Sequence, residues 1–189
     1  RTLISLLEHH YLPGCCYLTA ASLGIADAYK TLYPVPSPVV VRNAFPRHHA
    51  PPHPSRRGWF KGGPSLYWFS QTIGPDRGLE FAVAAIAHSQ SRPLLVMRGI
   101  IQAHYREVLE GLAHDLGVSD RLCFLPHASP CTMEQLAAPH DLGLVAEIGH
   151  TVNRQIALTN KLFTYALAGI PILLSDIPAH CQMMPELGE

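Results

Sequence analysis

The sequence has no hydrophobic run long enough to cross a membrane and carries little charge of either sign. No segment approaches the roughly 18 to 20 consecutive apolar residues of a transmembrane helix, and the chain does not begin with a signal-peptide pattern. Only 15% of the 189 residues are charged, and the net charge is zero at pH 7. A neutral balance gives no indication of nucleic acid binding. We therefore expect a cytoplasmic or membrane-peripheral protein that does not bind nucleic acid.

Patterns typical of disulfide scaffolds and metal sites are also missing. The five cysteines are an odd number and include no Cys-x-x-Cys pair, which fits a reducing compartment and predicts buried thiols. The twelve histidines form no His-x-x-x-His pair on a predicted helix, so their spacing indicates no tetrahedral site. We expect neither a metal ion nor a cofactor.

Proline and glycine are concentrated in residues 47–64, where neither a helix nor a strand tolerates them. We interpret this segment as a Pro-rich interdomain linker. Four basic residues lie in it: Arg47, Arg56, Arg57 and Lys61. Because they are widely spread, we interpret them as solvated charges, and the alternative is contact with an acceptor phosphate or an anionic membrane surface.

The residues before the linker, 1–46, have the pattern of a partial helix–strand–helix–strand unit. We expect a short amphipathic helix over residues 3–11 and a buried strand over residues 15–19. Residues 20–22 would turn into a second helix, and residues 39–41 would form the next strand.

From residue 65 onward, strand and helix patterns alternate regularly. Strands are predicted at residues 66–69, 93–97, 121–125, 141–145 and 172–174, and helices at 79–88, 102–116 and 133–138. A further helix starts after Thr159 or Asn160 and ends at Gly169, and residues 178–187 would begin another. This alternation predicts an α/β fold with a Rossmann-like, doubly wound parallel sheet, in which ligands bind beyond the carboxyl ends of the strands.

A helix start and a buried strand follow one another in residues 158–176. Thr159 or Asn160 can cap a helix that ends at Gly169, and Lys161 lies in its first turn. A helix start leaves backbone N–H groups unpaired and carries the positive end of the helix dipole, so Lys161 would strengthen a site for a phosphate. By local chemistry alone, an ordinary cap with a solvated lysine fits these residues equally well.

The loop over residues 70–78 is a second candidate for anion binding. Gly74 would let the backbone approach a ligand closely, and Arg77 can direct two N–H groups at one phosphate. An ordinary turn with a surface arginine is the alternative interpretation of this loop.

Three motifs resemble family-4-type glycosyltransferases with the GT-B fold. Residues 160–172, Asn-Lys-Leu-Phe-x-Tyr-x-x-Ala-Gly-Ile-Pro-Ile, resemble the segment whose helix start holds the diphosphate of the nucleotide sugar. Residues 74–78, Gly-x-x-Arg-Gly, resemble another donor-binding element, with Arg77 in the place of the usual lysine. Residues 42–46, Arg-Asn-Ala-Phe-Pro, are similar to the end of the N-terminal domain in these enzymes.

The resemblance implies an enzyme that transfers a sugar from a nucleoside-diphosphate sugar to an unknown acceptor. Residues 1–46 would be the end of its acceptor domain, and residues 65–189 its donor-binding domain. The donor-binding residues that it implies are Gly74, Arg77, Leu125, Pro126, Glu147, Asn160, Lys161 and Thr164. Arg77 and Lys161 would also be catalytic, because they would stabilise the charge on the leaving nucleoside diphosphate.

Among the other implied residues, Leu125 and Pro126 would contact the base and Glu147 would face the donor sugar. Glu147 could accept hydrogen bonds from sugar hydroxyls, and a solvent-exposed loop carboxylate is its alternative interpretation.

The sequence departs from the family at two positions. Many relatives carry two glutamates eight positions apart, where this chain has Ile156 and Thr164. Thr164 could bond one ribose hydroxyl, but its single oxygen cannot take the two acceptor roles of the two carboxylate oxygens. The missing carboxylates favour one alternative function, a non-catalytic nucleotide-sugar-binding module. A nucleotide-sugar 2-epimerase, which shares the architecture, is the other alternative.

The sequence begins at Arg1 without Met and ends at Glu189 soon after a predicted helix begins, so we expect a fragment of a longer protein. Groups that deprotonate or orient the acceptor would come from the missing half. We therefore expect the fragment to be inactive in transfer on its own.

Overall fold

The computed structural model describes residues 2–51 and 63–188. Its elements before the predicted linker are α1 (Leu3–Tyr11), β1 (Thr19–Ala20), α2 (Leu23–Leu32) and β2 (Val39–Val40). The two strands pair in parallel. The side chain of Ser22 accepts a hydrogen bond from the backbone N–H of Ile25, so it caps α2 where the sequence predicted the turn.

The predicted strand over residues 15–19 is wrong except for its last residue. Leu12–Gly14 forms a short 3-10 turn, and Cys15 and Cys16 follow it outside any strand, because β1 begins only at Thr19. The prediction of buried thiols is also wrong. Cysteines 15, 16, 131 and 181 are exposed and Cys123 is half-buried, because they lie in turns, on the outer side of a helix and on an edge strand rather than in the core.

The later elements follow the predicted alternation closely. They are β3 (Ser65–Ile73), α3 (Leu79–His88), β4 (Leu94–Ile101), α4 (Ala103–Asp115), β5 (Leu122–Leu125), α5 (Met133–Ala137), β6 (Leu142–Val145), α6 (Val152–Ile156), α7 (Asn160–Ala168), β7 (Ile172–Leu174) and α8 (Pro178–Leu187). Five strands form one sheet in the order β5-β4-β3-β6-β7, and every neighbouring pair is parallel. The prediction of an α/β fold with a parallel, Rossmann-like sheet is confirmed.

Successive side chains of the central strand β3 point to opposite faces of the sheet, and both faces are covered, so the strand is buried on both sides. Leu66 and Trp68 join the main apolar cluster with side chains of α3 and α4. Tyr67 and Phe69 face the other side, where both rings contact Tyr165 of α7. This arrangement places helices on both faces of the sheet.

Strands β3 and β4 are longer than predicted. Residues 70–73, which were expected in a loop, continue β3, and β4 continues through Gly99 to Ile101. The register of the two strands shifts between Phe69 and Thr72, so pairing resumes beyond an irregularity. Gly99 has φ +154°, and a Cβ there would lie 2.5 Å from the carbonyl oxygen of Ser70, which explains why glycine occupies this position.

Packing divides the chain into two compact units. The larger unit comprises residues 44–148 and 159–175, and the smaller unit comprises 1–43, 149–158 and 176–189. Compactness thus groups the chain differently from the domain limits that the sequence predicted, which stay a prediction about the domains of the whole protein.

Within the smaller unit, helices α2, α6 and α8 pack together. The hydroxyl of Ser22 donates a hydrogen bond to the carbonyl oxygen of Ile156 at 2.5 Å. Arg42 pairs with Glu186 near the end of the chain. These polar contacts connect segments that are far apart in the sequence.

The predicted linker is only partly described. Arg47–His49 forms a short 3-10 turn, whereas Arg56, Arg57 and Lys61 lie outside the described residues. The proposed role of these basic residues therefore stays a prediction. In the part of the chain that the structure describes, no helix is both long and apolar enough to span a membrane.

Candidate functional site

A cavity of about 380 Å³ opens beside the carboxyl-terminal parts of β3 and β4 in the larger unit. Its lining consists of Phe69, Ser70, Gln71, Thr72, Arg77, Arg98, His127, Ala128, Pro130, Met133, Asn160 and Lys161. Three of these residues, Arg77, Arg98 and Lys161, carry a positive charge. The position agrees with the rule that ligands of open parallel sheets bind beyond the strand ends, and the volume lies in the range of small-molecule sites.

The start of helix α7 brings Asn160 and Lys161 to the cavity. Thr159 is the N-cap residue, with extended backbone angles, but its side chain makes no capping hydrogen bond. The helix ends at Gly169, which has φ +70°, as the sequence predicted. Helix α7 therefore directs its positive end toward the cavity.

Lys161 forms a buried ion pair with Glu147. Their Nζ and Oε1 atoms are 3.5 Å apart, and the two side chains are 8% and 2% exposed. Nζ also lies 5.1 Å from the centre of the Trp68 ring. Neither residue is a solvated surface group, which was the alternative interpretation of each. Because Glu147 compensates the charge of Lys161, the lysine contributes less net positive potential to the cavity than an unpaired cation would.

Glu147 is itself held in place by the end of β7. Its backbone N–H donates to the Ser175 hydroxyl at 3.0 Å, and that hydroxyl lies 3.2 Å from the carbonyl oxygen of Val145, to which it donates. These bonds connect the residues that follow two neighbouring strands. The carboxylate therefore faces Lys161 from an anchored backbone.

Arg77 reaches the cavity from the loop between β3 and α3. The next residue, Gly78, is the N-cap residue of α3 with φ +71°, and a Cβ there would lie 2.5 Å from the carbonyl oxygen of Ala146. Only glycine fits this close approach, so Gly78 sets the path of the loop that carries Arg77. No hydrogen bond or ion pair is formed by Arg77 within residues 2–51 and 63–188.

Arg98 is a cavity residue for which the sequence indicated no role. Its Nε donates to the Tyr67 hydroxyl and its Nη1 to the carbonyl oxygen of Pro126, both at 2.9 Å. The ring of His140 stacks on Tyr67, with 4.1 Å between ring centres and 6° between planes. Burial, together with the nearby charge of Arg98, lowers the pKa of His140 to about 4, so its ring is neutral near pH 7. The signal that could have identified Arg98 is a charged residue inside an otherwise apolar strand.

The structure brings together only some of the residues that the sequence singled out. Arg77, Asn160 and Lys161 line the cavity, and Glu147 contacts Lys161. The remaining four residues do not line it: Gly74, Leu125, Pro126 and Thr164. Of these, Pro126 contacts Arg98 through its carbonyl oxygen, and Thr164 is buried in α7 with 2% exposure. The roles assigned to all eight residues stay predictions.

The described residues offer no obvious ligand set for a metal ion. Within residues 2–51 and 63–188, no three side chains of His, Cys, Asp or Glu come together in a suitable cluster. The expectation that the protein uses no metal stays a prediction.

Comparison with solved structures defines the class of fold. No family model and no curated protein sequence matches the chain. Solved structures with the GT-B glycosyltransferase fold do match it, as the sequence predicted. The identities of those described here are 11% to 15%, so the likeness concerns the fold.

Three of these structures illustrate the match. HepE from Anabaena, in complex with UDP and glucose, has a TM-score of 0.72 and 15% identity over 95% of this chain and 50% of its own. A glycosyltransferase from Rickettsia africae has a TM-score of 0.73 and 11% identity over 97% and 50%. Sucrose-phosphate synthase from Thermosynechococcus elongatus has a TM-score of 0.72 and 13% identity over 96% and 46%. The chain thus spans about half the length of these structures.

Proposed function

We propose that this chain supplies the nucleotide-sugar-binding part of a glycosyltransferase. The observation that carries the proposal is the cavity at the sheet edge, where Arg77, Arg98 and the start of α7 converge. Arg77 and a helix N-terminus form a site suited to a diphosphate. The fold supports the same conclusion, because HepE was solved with UDP and glucose bound.

In the proposed reaction, the bond between the anomeric carbon of the sugar and the terminal phosphate oxygen breaks. Negative charge then accumulates on the departing nucleoside diphosphate. Arg77 and the backbone N–H groups at the start of α7 would stabilise that charge, with Lys161 close by. The sugar forms its new bond to an acceptor hydroxyl, whose proton must pass to a base. We assign no such base within the cavity.

The ion pair suggests different tasks for the two residues proposed to be catalytic. Arg77 forms no ion pair among the described residues, so its full charge is available to a phosphate. Lys161 is tied to Glu147, and we propose that this pair holds the start of α7 in position while Nζ keeps some attraction for the diphosphate. The proposal therefore gives Arg77 the larger share of leaving-group stabilisation.

One observation favours the non-catalytic alternative. Thr164 stands where many family-4 enzymes have a carboxylate, and its side chain is buried outside the cavity lining. A binding module would keep the anion site without that group. Glycosyl transfer by the whole protein would exclude this alternative, and analysis of the products would separate transfer from 2-epimerisation.

Calorimetric titration with UDP-glucose, UDP and uridine tests the proposed site. We expect Arg77→Gln to weaken binding of UDP-glucose and UDP by about 2 kcal/mol and to leave uridine binding nearly unchanged, because a charged hydrogen bond to phosphate is lost. The matched control is Arg106→Gln, which removes an arginine that pairs with Glu110 on α4. Equal losses for uridine and UDP would show that Arg77 does not contact the phosphates.

A further inference from the structure

Arg98 presents a fixed hydrogen-bond donor to the cavity. Two edges of its guanidinium are occupied, since Nε donates to Tyr67 and Nη1 donates to Pro126. Both acceptors are uncharged, and Arg98 forms no ion pair among the described residues. Nη2 has no hydrogen-bond partner in the same part of the chain. The side chain is therefore held in one orientation, with its remaining N–H groups available to a ligand.

The sheet order separates Arg98 from the anion-binding end of the cavity. Arg98 lies on β4, and α7 packs on β6 and β7. Strand β3 lies between β4 and β6, so these two strands are about 10 Å apart, or two strand spacings. Gly78, next to Arg77, contacts Ala146 just after β6, which places Arg77 toward the same end as α7. A ligand whose phosphates bind Arg77 would therefore direct its other end toward Arg98.

The surroundings of Arg98 suit a flat, uncharged ring. The part of the lining next to Arg98 includes His127 and Ala128, which follow Pro126, and the end of β3, where Phe69 pairs with Arg98 across the sheet. The nearby His140 is neutral near pH 7 because its pKa is about 4, so it adds no charge of its own. A carboxylate is absent from the lining that the structure describes. This end of the cavity therefore offers the aromatic ring of Phe69, a fixed donor from Arg98 and no negative charge, which suits an uncharged nucleobase.

We propose that Arg98 selects the nucleobase, favouring a base that presents a carbonyl oxygen over one that presents an amino group. This inference rests on the proposed function, since it assumes a nucleoside diphosphate in the cavity. Arginine has N–H donors and no acceptor, so it pairs with O4 of uracil but opposes the amino group of cytosine. Because Tyr67 and Pro126 hold the guanidinium, it cannot swing away from an unsuitable base without losing both bonds.

UDP and CDP form a matched pair of ligands for the test, because they carry the same diphosphate and differ only at position 4 of the ring and in the hydrogen on the neighbouring N3. Calorimetric titration of the 189-residue chain should show UDP binding about tenfold more tightly than CDP, the usual effect of one charged hydrogen bond. Arg98→Gln should bring the ratio close to one, because a glutamine amide can donate or accept. Arg77→Gln should weaken both ligands by the same factor and preserve the ratio.

The outcomes separate this inference from the proposed function. If the wild-type chain binds neither UDP nor CDP, the proposed function fails. If it binds both equally, or if folded Arg98→Gln keeps the wild-type ratio, the inference fails and the proposed function stands. Equal weakening of both ligands by Arg98→Gln would assign Arg98 to the phosphates instead.

A second variant covers the case in which Arg98→Gln does not fold, which circular dichroism would reveal. Tyr67→Phe keeps the guanidinium and removes only the acceptor for Nε. The loosened arginine should discriminate less, so the ratio of UDP to CDP affinity should fall by about threefold, less than in Arg98→Gln. An unchanged ratio in folded Tyr67→Phe would contradict the role of the fixed orientation.

Discussion

The two units of the chain bury their apolar residues to very different extents. The larger unit packs a continuous cluster around β3, in which Trp68, Leu79 and Leu95 are completely buried. In the smaller unit, many large apolar side chains are exposed: Leu3, Ile4, Leu6, Leu7, Tyr11, Tyr17, Leu23, Leu32, Val39 and Val41. Burial of apolar side chains therefore stabilises mainly the larger unit, whereas hydrogen bonds and ion pairs contribute a greater share of the stability of the smaller unit.

The candidate site lies in the unit with the better core, and this has a physical reason. A cation such as Arg98 is held by two hydrogen bonds only if Tyr67 and the Pro126 loop are themselves fixed. The buried pair of Lys161 and Glu147 needs the same rigid surroundings. In the smaller unit the ion pair of Arg42 and Glu186 is solvent-exposed, with side chains 38% and 52% accessible. Perturbing matched contacts in the two units tests the comparison.

The largest effect is expected from overpacking the larger unit. A Cβ added at Gly143 would lie 2.4 Å from the ring of Tyr165, so Gly143→Ala forces α7 or β6 to move. We expect the free energy of unfolding to fall by about 3 kcal/mol, measured by urea denaturation with tryptophan fluorescence. Trp68 is completely buried in this unit, so its fluorescence reports the unfolding of the unit.

Gly111 provides the matched control for Gly143. It lies inside α4, and a Cβ there would meet nothing within 4 Å. Gly111→Ala should raise the free energy of unfolding by about 0.5 to 1 kcal/mol, since alanine has the higher helix propensity. Equal destabilisation by both substitutions would show that the close packing of Gly143 on Tyr165 is not required.

The second effect concerns the buried ion pair. Glu147→Gln removes the compensating charge beside Lys161 while keeping nearly the same shape. We expect a loss of about 2 kcal/mol in the same urea experiment, because a charged partner of Lys161 is replaced by a neutral amide whose oxygen can still accept a hydrogen bond. Glu107→Gln on the exposed side of α4 is the control and should change stability very little. Unchanged stability in Glu147→Gln would mean that Lys161 does not depend on this carboxylate.

A smaller effect is expected in the smaller unit at high pH. The Glu8 carboxylate accepts hydrogen bonds from the hydroxyls of Tyr29 and Tyr33. The bond from Tyr29 raises the pKa of that tyrosine from 10 to about 12. A group whose pKa is raised on folding stabilises the folded state fully at pH values below its unfolded-state pKa. That contribution is lost as the pH rises through its folded-state pKa. The link between α1 and α2 should therefore weaken between about pH 10 and pH 12.

Absorbance titration of the tyrosines at high pH measures this directly. In Glu8→Gln, phenolate formation by Tyr29 should shift back toward pH 10, because the charged acceptor is gone. Glu107→Gln again serves as the control and should leave the curve unchanged. A wild-type curve identical to that of Glu8→Gln would contradict the pairing.

The smallest effect is expected for Arg42→Gln. Its ion pair with Glu186 is exposed on both sides, and solvent screening leaves such pairs with little net contribution to stability. The thermal melting curve should be almost indistinguishable from that of the wild type. A loss as large as that of Glu147→Gln would remove the contrast between buried and exposed pairs in the two units.

Much of the fold was predictable because it is encoded in local patterns. Helix α3 begins and ends where the spacing predicted, α7 ends at Gly169, and α8 begins at Pro178, as expected from the sequence. The parallel sheet followed from the alternation of these helices with short apolar strands. The start of α7 and the loop with Arg77 were identified as candidates for anion binding from helix-end chemistry and the family motifs.

The rest was decided by contacts between residues distant in the sequence. The extension of β3 through residues 70–73 depends on pairing with β4, and local composition suggested a loop. Cys15 and Cys16 are exposed because a turn keeps them out of the sheet, although their segment is apolar.

At the candidate site, the same division holds. The sequence identified Arg77, Asn160 and Lys161 as candidates because a helix start and a glycine-rich turn are local features. Only the tertiary structure revealed that Glu147 compensates Lys161 and that Tyr67 holds Arg98, since the partners are separated by 14 and 31 positions in the chain. Burial and charge compensation depend on the surrounding fold, so the sequence determined which groups were present and the fold decided which of them carry uncompensated charge.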